Sequence, residues 1–437
     1  MQGIKIVFTI AGLFIAGVGF SQDTISISKA EVLEKVTLNN LQNKISQYNY
    51  ESSKADYRES NSLFLPDISV SYTGMTTTNP LMAFGSKLNQ ESLKASDFDP
   101  ALLNDPDRIN NFATRIEVMQ PLINADGIME RKAAKAKSEA VALQMERTKE
   151  HLTLEATKAY IQLQLAYKTV IVLEKANVAG KANLKLIENY FAQGLLQKTD
   201  LLSMQVRMTE IENQLQYAKS NVHNASDYLS FLFNDINSTK VYRPVDDLTN
   251  LLELNNTAQS IPENRKDFLA MDKSIYAYEN MLKSGKMKFL PRLNAFGSYE
   301  LYDPEIFKAG ANGYVVGAQL KWNLFDGYKS FAKSDNANLK LQRQKAEAEQ
   351  YRAKSQMEFN QTKRQLTDAE NKIELSESAF NQMKEAYKIK KDRFEQGLEK
   401  TNDLLYAETQ MLQKELEHLQ SVFEYNYTVQ YLQFLTK

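Results

Sequence analysis

The stretch "RFEQGLEKTNDLL", residues 393–405, interrupts a long helical pattern, and a near copy, "YFAQGLLQKTDLL", stands at residues 190–202. When both are extended to residues 205 and 408 and aligned without gaps, seven of sixteen residues match. A glycine inside a helix costs about 1 kcal/mol relative to alanine, so the glycine of each copy predicts a turn between two helices. Because the same turn is written twice, the sequence indicates an internal duplication.

Long helices are predicted on both sides of each copy. No proline occurs from residue 122 to 243 or from 305 to 437, and these tracts are rich in Ala, Leu, Lys, Gln and Glu. Apolar residues recur every three or four positions, which predicts helices packed as antiparallel hairpins. The tracts between Gly127 and Gly194 and between Gly327 and Gly397 predict two helices of about 100 Å each.

Four shorter segments alternate between apolar and polar residues, a pattern typical of strands. They are "DISVSYTG", "TRIEVMQPL", "RLNAFGSYEL" and "YVVGAQLKWNLF". One apolar and one polar face predict a lipid-facing exterior and a wet lumen of a transmembrane barrel, with half-buried strands of a soluble sheet as the alternative. Arg115, Glu117, Glu300 and Lys321 are the predicted lumen residues, and Trp322 is the predicted aromatic residue at the membrane interface.

Each half of the chain therefore reads as helix, strand, strand, long helix, turn and return helix. We predict the first repeat at 22–233, a middle segment beside the helices at 234–261, and the second repeat at 262–437. The elements of the first repeat are helix 28–63, strands 66–75 and 112–122, helix 128–193, turn 194–199 and helix 200–233. Those of the second are helix 262–289, strands 291–302 and 313–325, helix 328–396, turn 397–400 and helix 401–435. The connection at 76–111, with its NP and DP dipeptides, predicts a long loop.

Residues 1–21 form a predicted secretory signal, with a membrane anchor as the alternative. Lys5 precedes an apolar run over residues 6–20, and Gly19 and Ser21 are small residues suited to cleavage after Ser21. No other apolar run is long enough to predict a transmembrane helix. Because four strands cannot close a barrel and open edges are costly in lipid, we expect the chain to oligomerise. A dimer supplies eight strands with a filled interior, and a trimer supplies twelve with a passage.

Composition excludes several function classes. The chain of 437 residues has a formal net charge of −1, which gives no electrostatic reason to expect nucleic acid as a partner. It contains no cysteine and three widely separated histidines, so disulfides, thiol chemistry and a metal site are not expected. No phosphate-binding glycine loop or catalytic set is present in the sequence, and we expect neither an enzyme nor a cofactor.

Five kinds of segment together resemble the TolC-like outer-membrane efflux proteins, also called outer membrane factors. They are "LFLPDISVSY", "QPLIN", "FLPRLNAFGSY", "WNLFDG" and the two turns. The resemblance covers nearly the whole mature chain, with one departure, Asn323, where the second repeat of the family usually has proline. It implies a mainly α-helical homotrimer, with a periplasmic α-barrel of coiled-coil helices below a twelve-stranded barrel in the outer membrane.

The resemblance also implies the function. Such proteins are passive exit ducts of tripartite efflux pumps or type I secretion systems, and they work with a periplasmic adaptor and an inner-membrane pump. It implies adaptor docking at the turns and a pore aperture at the start of the return helices. A structural coiled-coil protein of the envelope and a periplasmic adaptor remain the alternatives. The docking candidates are Gly194, Leu195, Gly397, Leu398 and Thr401, and the aperture candidates are Asp403, Tyr406, Asp200 and Ser203.

For Asp403, capping of the return helix is the competing interpretation, because an acidic residue in the first turn complements the helix dipole. For the two glycines, the competing interpretation is an ordinary helix end.

Overall fold

The computed structural model describes residues 24–235, 240–252 and 260–437. The predicted signal at 1–21 lies outside these residues, as does part of the predicted middle segment. The helices are α1 (Lys29–Asn39), α2 (Leu41–Glu59), α3 (Pro80–Asn89), α4 (Pro100–Asn104), α5 (Ala125–Ala192), α6 (Lys198–Leu232), α7 (Lys266–Met287), α8 (Lys329–Glu395) and α9 (Thr401–Leu435). The strands are β1 (Thr24–Ile27), β2 (Asp67–Thr77), β3 (Ile109–Ile123), β4 (Val241–Pro244), β5 (Arg292–Asp303) and β6 (Ala311–Lys321).

These elements pack as two compact units. The helical unit contains the described residues up to Leu41, those between Leu152 and Thr257, and Thr362–Phe434. The sheet unit contains Gln42–His151, the described residues from 260 to 361, and Leu435–Lys437. The division between the units falls within α5 and within α8. Each of these helices belongs to the sheet unit at one end and to the helical unit at the other, with the change after residue 151 in α5 and after residue 361 in α8.

The sheet unit is built on four antiparallel strands in the order β2-β3-β5-β6. Each repeat contributes one strand pair, and the two pairs meet where β3 bonds to β5. Residues that face one another across paired strands lie on the same side of a sheet. The register therefore places the hydrophobic Val70, Ile116 and Tyr299 on one face of the sheet.

The helical unit holds a second, smaller sheet that the sequence pattern did not predict. β1 and β4 pair in parallel, with Ile27 opposite Pro244. Ile27 is buried in a hydrophobic core together with Tyr160 of α5 and Tyr242 of β4. The hydroxyl of Tyr160 donates to Asp246 at 2.8 Å, and burial raises the pKa of Tyr160 to about 12. Strands of four residues are too short to show a periodicity, which is why the alternation in the sequence missed them.

The first predicted helix, 28–63, is interrupted at Asn40. α1 ends at Asn39, and the next residue, Asn40, has an extended backbone with φ −61° and ψ 129°. The buried side chain of Asn40 donates to the carbonyl of Leu232 at 2.9 Å. The predicted helix is therefore two helices, and the residue between them is bonded to the end of α6.

The predicted loop at 76–111 contains helices α3 and α4. Asn79 and Asp99 cap them through bonds from the backbone N–H groups of Met82 and Ala101. A proline occupies the first helical position in both. Asn79-Pro80 and Asp99-Pro100, which the sequence assigned to a loop, are therefore helix starts, because proline is also favoured at the first position of a helix, whereas Asp105-Pro106 follows the end of α4.

Candidate functional site

The two predicted turns have the same backbone geometry. Gly194 and Gly397 both adopt φ +73°, in the left-handed region that favours glycine. The N–H of Leu195 donates to the carbonyl of Tyr190 at 2.9 Å, and that of Leu398 donates to Arg393 at the same distance. A second bond, from each glycine N–H to the carbonyl three residues earlier, is also 2.9 Å long in both. Both long helices therefore end in a Schellman motif.

The first turn is fixed by a side-chain cap. Asp200 accepts a hydrogen bond from the backbone N–H of Gln197 at 3.0 Å, at the start of α6. This is the acidic half of a capping box, which satisfies a backbone donor that the helix cannot. Asp200 is partly buried, as is Ser203, the other aperture candidate of this repeat. Asp200 is thus engaged in holding the turn.

The second turn is fixed by charge. Glu399 accepts from Lys390 at 3.1 Å and from Arg393 at 3.0 Å, both on the last turns of α8. The hydrogen bond from Lys390 is the largest of the effects that lower the pKa of Glu399. Arg393 also donates to the carbonyl of Leu398 at 3.3 Å, so it bonds the turn at two points.

Asp403 and Tyr406 are exposed at the start of α9. In the part of the chain that the structure describes, no hydrogen bond or ion pair engages the carboxylate of Asp403. Tyr406 is 67% exposed. Asp403 lies in the first turn of α9, where its charge complements the helix dipole, but among the described residues it forms no side-chain cap of the kind that its repeat counterpart Asp200 forms.

The docking candidates at the turns divide into exposed and buried residues. Leu195 and Leu398 are 67% and 62% exposed. Thr401, the remaining docking candidate, is buried at 1% exposure. As the first residue of α9, Thr401 packs inward, whereas Leu398 lies three residues earlier on the turn itself.

Side chains join the two turns within the helical unit. The hydroxyl of Tyr190 donates to the carbonyl of Glu395 at 3.1 Å, and the rings of Tyr190 and Phe394 lie 6.0 Å apart. Beneath them is a hydrophobic core of buried residues, which consists of Ile187, Met204, Met208, Phe394, Leu404 and Leu405. The two hairpin ends therefore form one packed structure.

Arg207 and Glu408 lie buried beside this core, and helical periodicity did not single them out. Arg207 is 6% exposed and Glu408 2%. Among the described residues, neither Glu408 oxygen has a hydrogen-bond partner of good geometry, although Asn183 is near enough to affect the pKa of Glu408, and Arg207 pairs with Glu210 at 3.2 Å. Burial raises the pKa of Glu408, and the charges of Arg207 and Lys391 oppose that rise. In the sequence, these residues are two more charges among many on a helix, so no signal marks them as buried.

The predicted lumen residues share one face of the four-stranded sheet. Arg115 is the register partner of Glu300 and binds it at 2.6 Å, and Glu117 lies two residues along the same strand. Lys321 is opposite Arg292, which lies eight residues from Glu300 and thus on the same side.

Trp322 follows the last residue of β6 and is 59% exposed. Its ring N–H donates to the carbonyl of Phe289 at 2.9 Å, which fixes the ring at the end of the sheet. The predicted interface aromatic therefore lies just beyond its strand. In the described ranges, no helix combines the length and the apolar character that crossing a membrane requires.

Comparison with known proteins supports this architecture. Residues 257–435, which include α7, α8, α9 and two membrane-strand candidates, match the profile of the outer membrane efflux protein family. No curated protein matches the chain in sequence.

Solved structures match almost the whole chain. A membrane protein from Pseudomonas aeruginosa superposes with a TM-score of 0.82 at 17% identity, covering 94% of this chain and 92% of that one. The CmeC outer membrane channel of Campylobacter jejuni gives 0.78 at 16% identity, covering 93% and 85%. The outer membrane protein VceC of Vibrio cholerae gives 0.76 at 14% identity, covering 93% and 96%. The predicted fold class is confirmed by these structures.

Proposed function

We propose that this chain, an outer membrane efflux protein by its family match and its fold, is the exit duct through which a pump delivers solutes across the outer membrane. One observation carries the proposal. The duplicated chain places two strand pairs in one sheet with a polar and an apolar face, and β2 and β6 are its edges in the described chain. Three copies supply twelve strands, enough to close the edges around a passage.

The proposed duct is passive. Its polar sheet face would line the lumen, and its apolar face would meet outer-membrane lipid. The helical unit would lie in the periplasm, where the exposed Leu195 and Leu398 offer an adaptor two matched apolar contacts. We assign it no catalytic step and no cofactor, and energy would come from an inner-membrane pump.

Fractionation tests the location and the assembly. The protein should appear in outer-membrane fractions, require detergent for extraction, and cross-link as a trimer. Recovery of the mature protein in the soluble periplasmic fraction would instead favour a structural envelope protein or an adaptor.

Pull-down with the cognate adaptor tests docking. Leu195→Ser combined with Leu398→Ser should weaken capture of the adaptor, because it removes both exposed apolar contacts. Leu375→Ser changes an exposed leucine within α8, away from the turns. It is the control and should retain capture. Equal capture by all three proteins would remove the turns from the docking surface.

For the aperture, Asp403 is the proposed gate residue. In a trimer, three Asp403 carboxylates would approach one another in the closed state, where their combined negative charge attracts cations or protons. Asp403→Asn should therefore reduce cation selectivity and block by multivalent cations in single-channel recordings. Asp392→Asn, an exposed acid of α8, is the matched control, and unchanged block in Asp403→Asn would count against the gate.

A further inference from the structure

A basic cavity of about 380 Å³ lies at one end of the four-stranded sheet. It is formed where α7 leads into β5 and where β6 leads into α8, so all of it belongs to the sheet unit. Its charged lining residues are Lys288, Arg292, Lys321, Lys329, Lys333 and Asp326. Five cations thus surround one carboxylate.

Most of this positive charge is uncompensated. Arg292 is paired with Asp126, and both oxygens of Asp326 accept from Ser330, through its N–H and its hydroxyl. Those two bonds, followed in effect by the charge of Lys329, lower the pKa of Asp326 and keep it ionised. Within the described residues, the side-chain ammonium groups of the four lysines form no ion pair and no hydrogen bond.

The register of the sheet decides which side the cavity opens on. Lys321 and Arg292 are direct partners, so they project from one face. Arg115, Glu117 and Glu300 project from that same face, which is the proposed lumen face. Trp322 follows Lys321 directly in the sequence, so its side chain leaves the backbone on the side of the opposite face.

We propose that this cavity binds anionic solutes that carry carboxylate or phosphate groups as they pass through the duct. Lysine ammonium groups are strongly hydrated point charges that bind phosphate and carboxylate oxygens without a fixed geometry. In a trimer the cavity occurs three times around one passage, which raises the local concentration of anions there. The inference rests on the proposed function, since it needs the polar face to be the lumen.

A phospholipid headgroup has the same anionic chemistry. Lipid would reach the sheet from its apolar face, where Val70, Ile116 and Tyr299 lie, whereas the two strand residues that line the cavity, Arg292 and Lys321, belong to the polar face. A solute in the lumen is therefore the favoured occupant, and the experiment must separate it from lipid.

The test uses the purified full-length protein reconstituted in planar bilayers of zwitterionic lipid. Lys329→Gln/Lys333→Gln removes two charges of the cavity, and Lys340→Gln/Lys388→Gln removes two exposed lysines elsewhere on α8 as a charge-matched control. Block of the potassium chloride current by inorganic pyrophosphate gives an apparent affinity, and a salt gradient gives the ratio of anion to cation permeability.

We expect roughly tenfold weaker pyrophosphate block in the cavity variant, since exposed charge pairs have modest individual strengths. The anion permeability ratio should fall with it, and the control should match the unmodified protein. Equal block in all three proteins overturns the inference. A second result would also overturn the inference. If adding anionic lipid to the bilayer abolishes pyrophosphate block of the unmodified protein, the cavity binds a lipid headgroup.

Failure of the two proposals is distinguishable. If the unmodified protein passes no current, the duct itself is refuted. If it conducts and the cavity variant keeps the same block and selectivity, only the anion site is refuted.

Discussion

The two turns of this chain have one backbone and two different ways of holding it. Gly194 and Gly397 share φ +73° and the same pair of hydrogen bonds. After them, the first turn uses the Asp200 cap, and the second uses Glu399 between two cations of α8. Duplication has therefore kept the bend, which only glycine makes easily, while its side-chain support has diverged.

The difference bears on function because it separates two aspartates at equivalent positions. Asp200 is engaged by the backbone of its own turn. Asp403 is exposed, and the second turn is held by Glu399 and its two cations. An acid that the fold does not use is available for an aperture, and the second repeat alone offers one. The neighbouring residues differ in the same sense, with exposed Tyr406 where the first repeat has Ser203.

The largest effect is expected where the turns agree. Gly194→Ala and Gly397→Ala should each reduce the local free energy of opening by about 1–2 kcal/mol, because alanine is strained in the left-handed region. No atom would meet the added Cβ at either site, so the cost is confined to the backbone and should be equal in both. Hydrogen exchange at the amides of Leu195 and Leu398 measures it. A clearly larger loss at one turn would mean that the two bends are not equivalent.

A smaller effect should separate the aspartates. Asp200→Ala should lower the free energy of opening in the first turn of α6 by about 1 kcal/mol, because the backbone N–H of Gln197 loses the carboxylate that accepts its hydrogen bond. Asp403→Ala should leave the protection of α9 nearly unchanged. The same exchange experiment compares the two, and comparable losses would show that Asp403 stabilises the start of α9 as strongly as Asp200 stabilises that of α6.

The smallest effect should depend on pH and appear only at the second turn. Because its partners lower the folded pKa of Glu399, the stabilisation is present above the ordinary value of 4.5 and is lost as pH falls below it. Protection factors at Leu398 should therefore decline in acid, and 1 M salt should mimic part of the decline by screening.

Glu399→Gln is the control for that pH dependence. It should lower protection at neutral pH and flatten the acid decline, because an uncharged amide keeps the shape of the side chain and loses the ion pair. A decline of equal size in this variant would assign the pH dependence to another group.

The sequence predicted the bends and the long helices because glycine, proline and apolar spacing act locally. The two copies of the turn align without gaps, and the structure gives both glycines the same φ. The two faces of the strands could also be predicted from the sequence, since alternation over about ten residues determines which side of the sheet each residue occupies.

Other features depend on contacts that are distant in the chain. The break at Asn40 needs the carbonyl of Leu232, and β1 needs β4, more than 200 residues later. Helices α3 and α4 were missed because Asn-Pro and Asp-Pro begin helices as well as loops. The burial of Thr401 could not be predicted, since burial follows from packing against other helices, which one turn of sequence does not reveal.

Conductance of the purified full-length protein in a planar bilayer tests the central claim most directly. We expect discrete, long-lived current steps from trimers, and we expect Asp403→Asn to make these channels less selective for cations. Bilayers that stay silent, although cross-linking shows trimers inserted in them, would contradict the claim that this sheet closes around a passage.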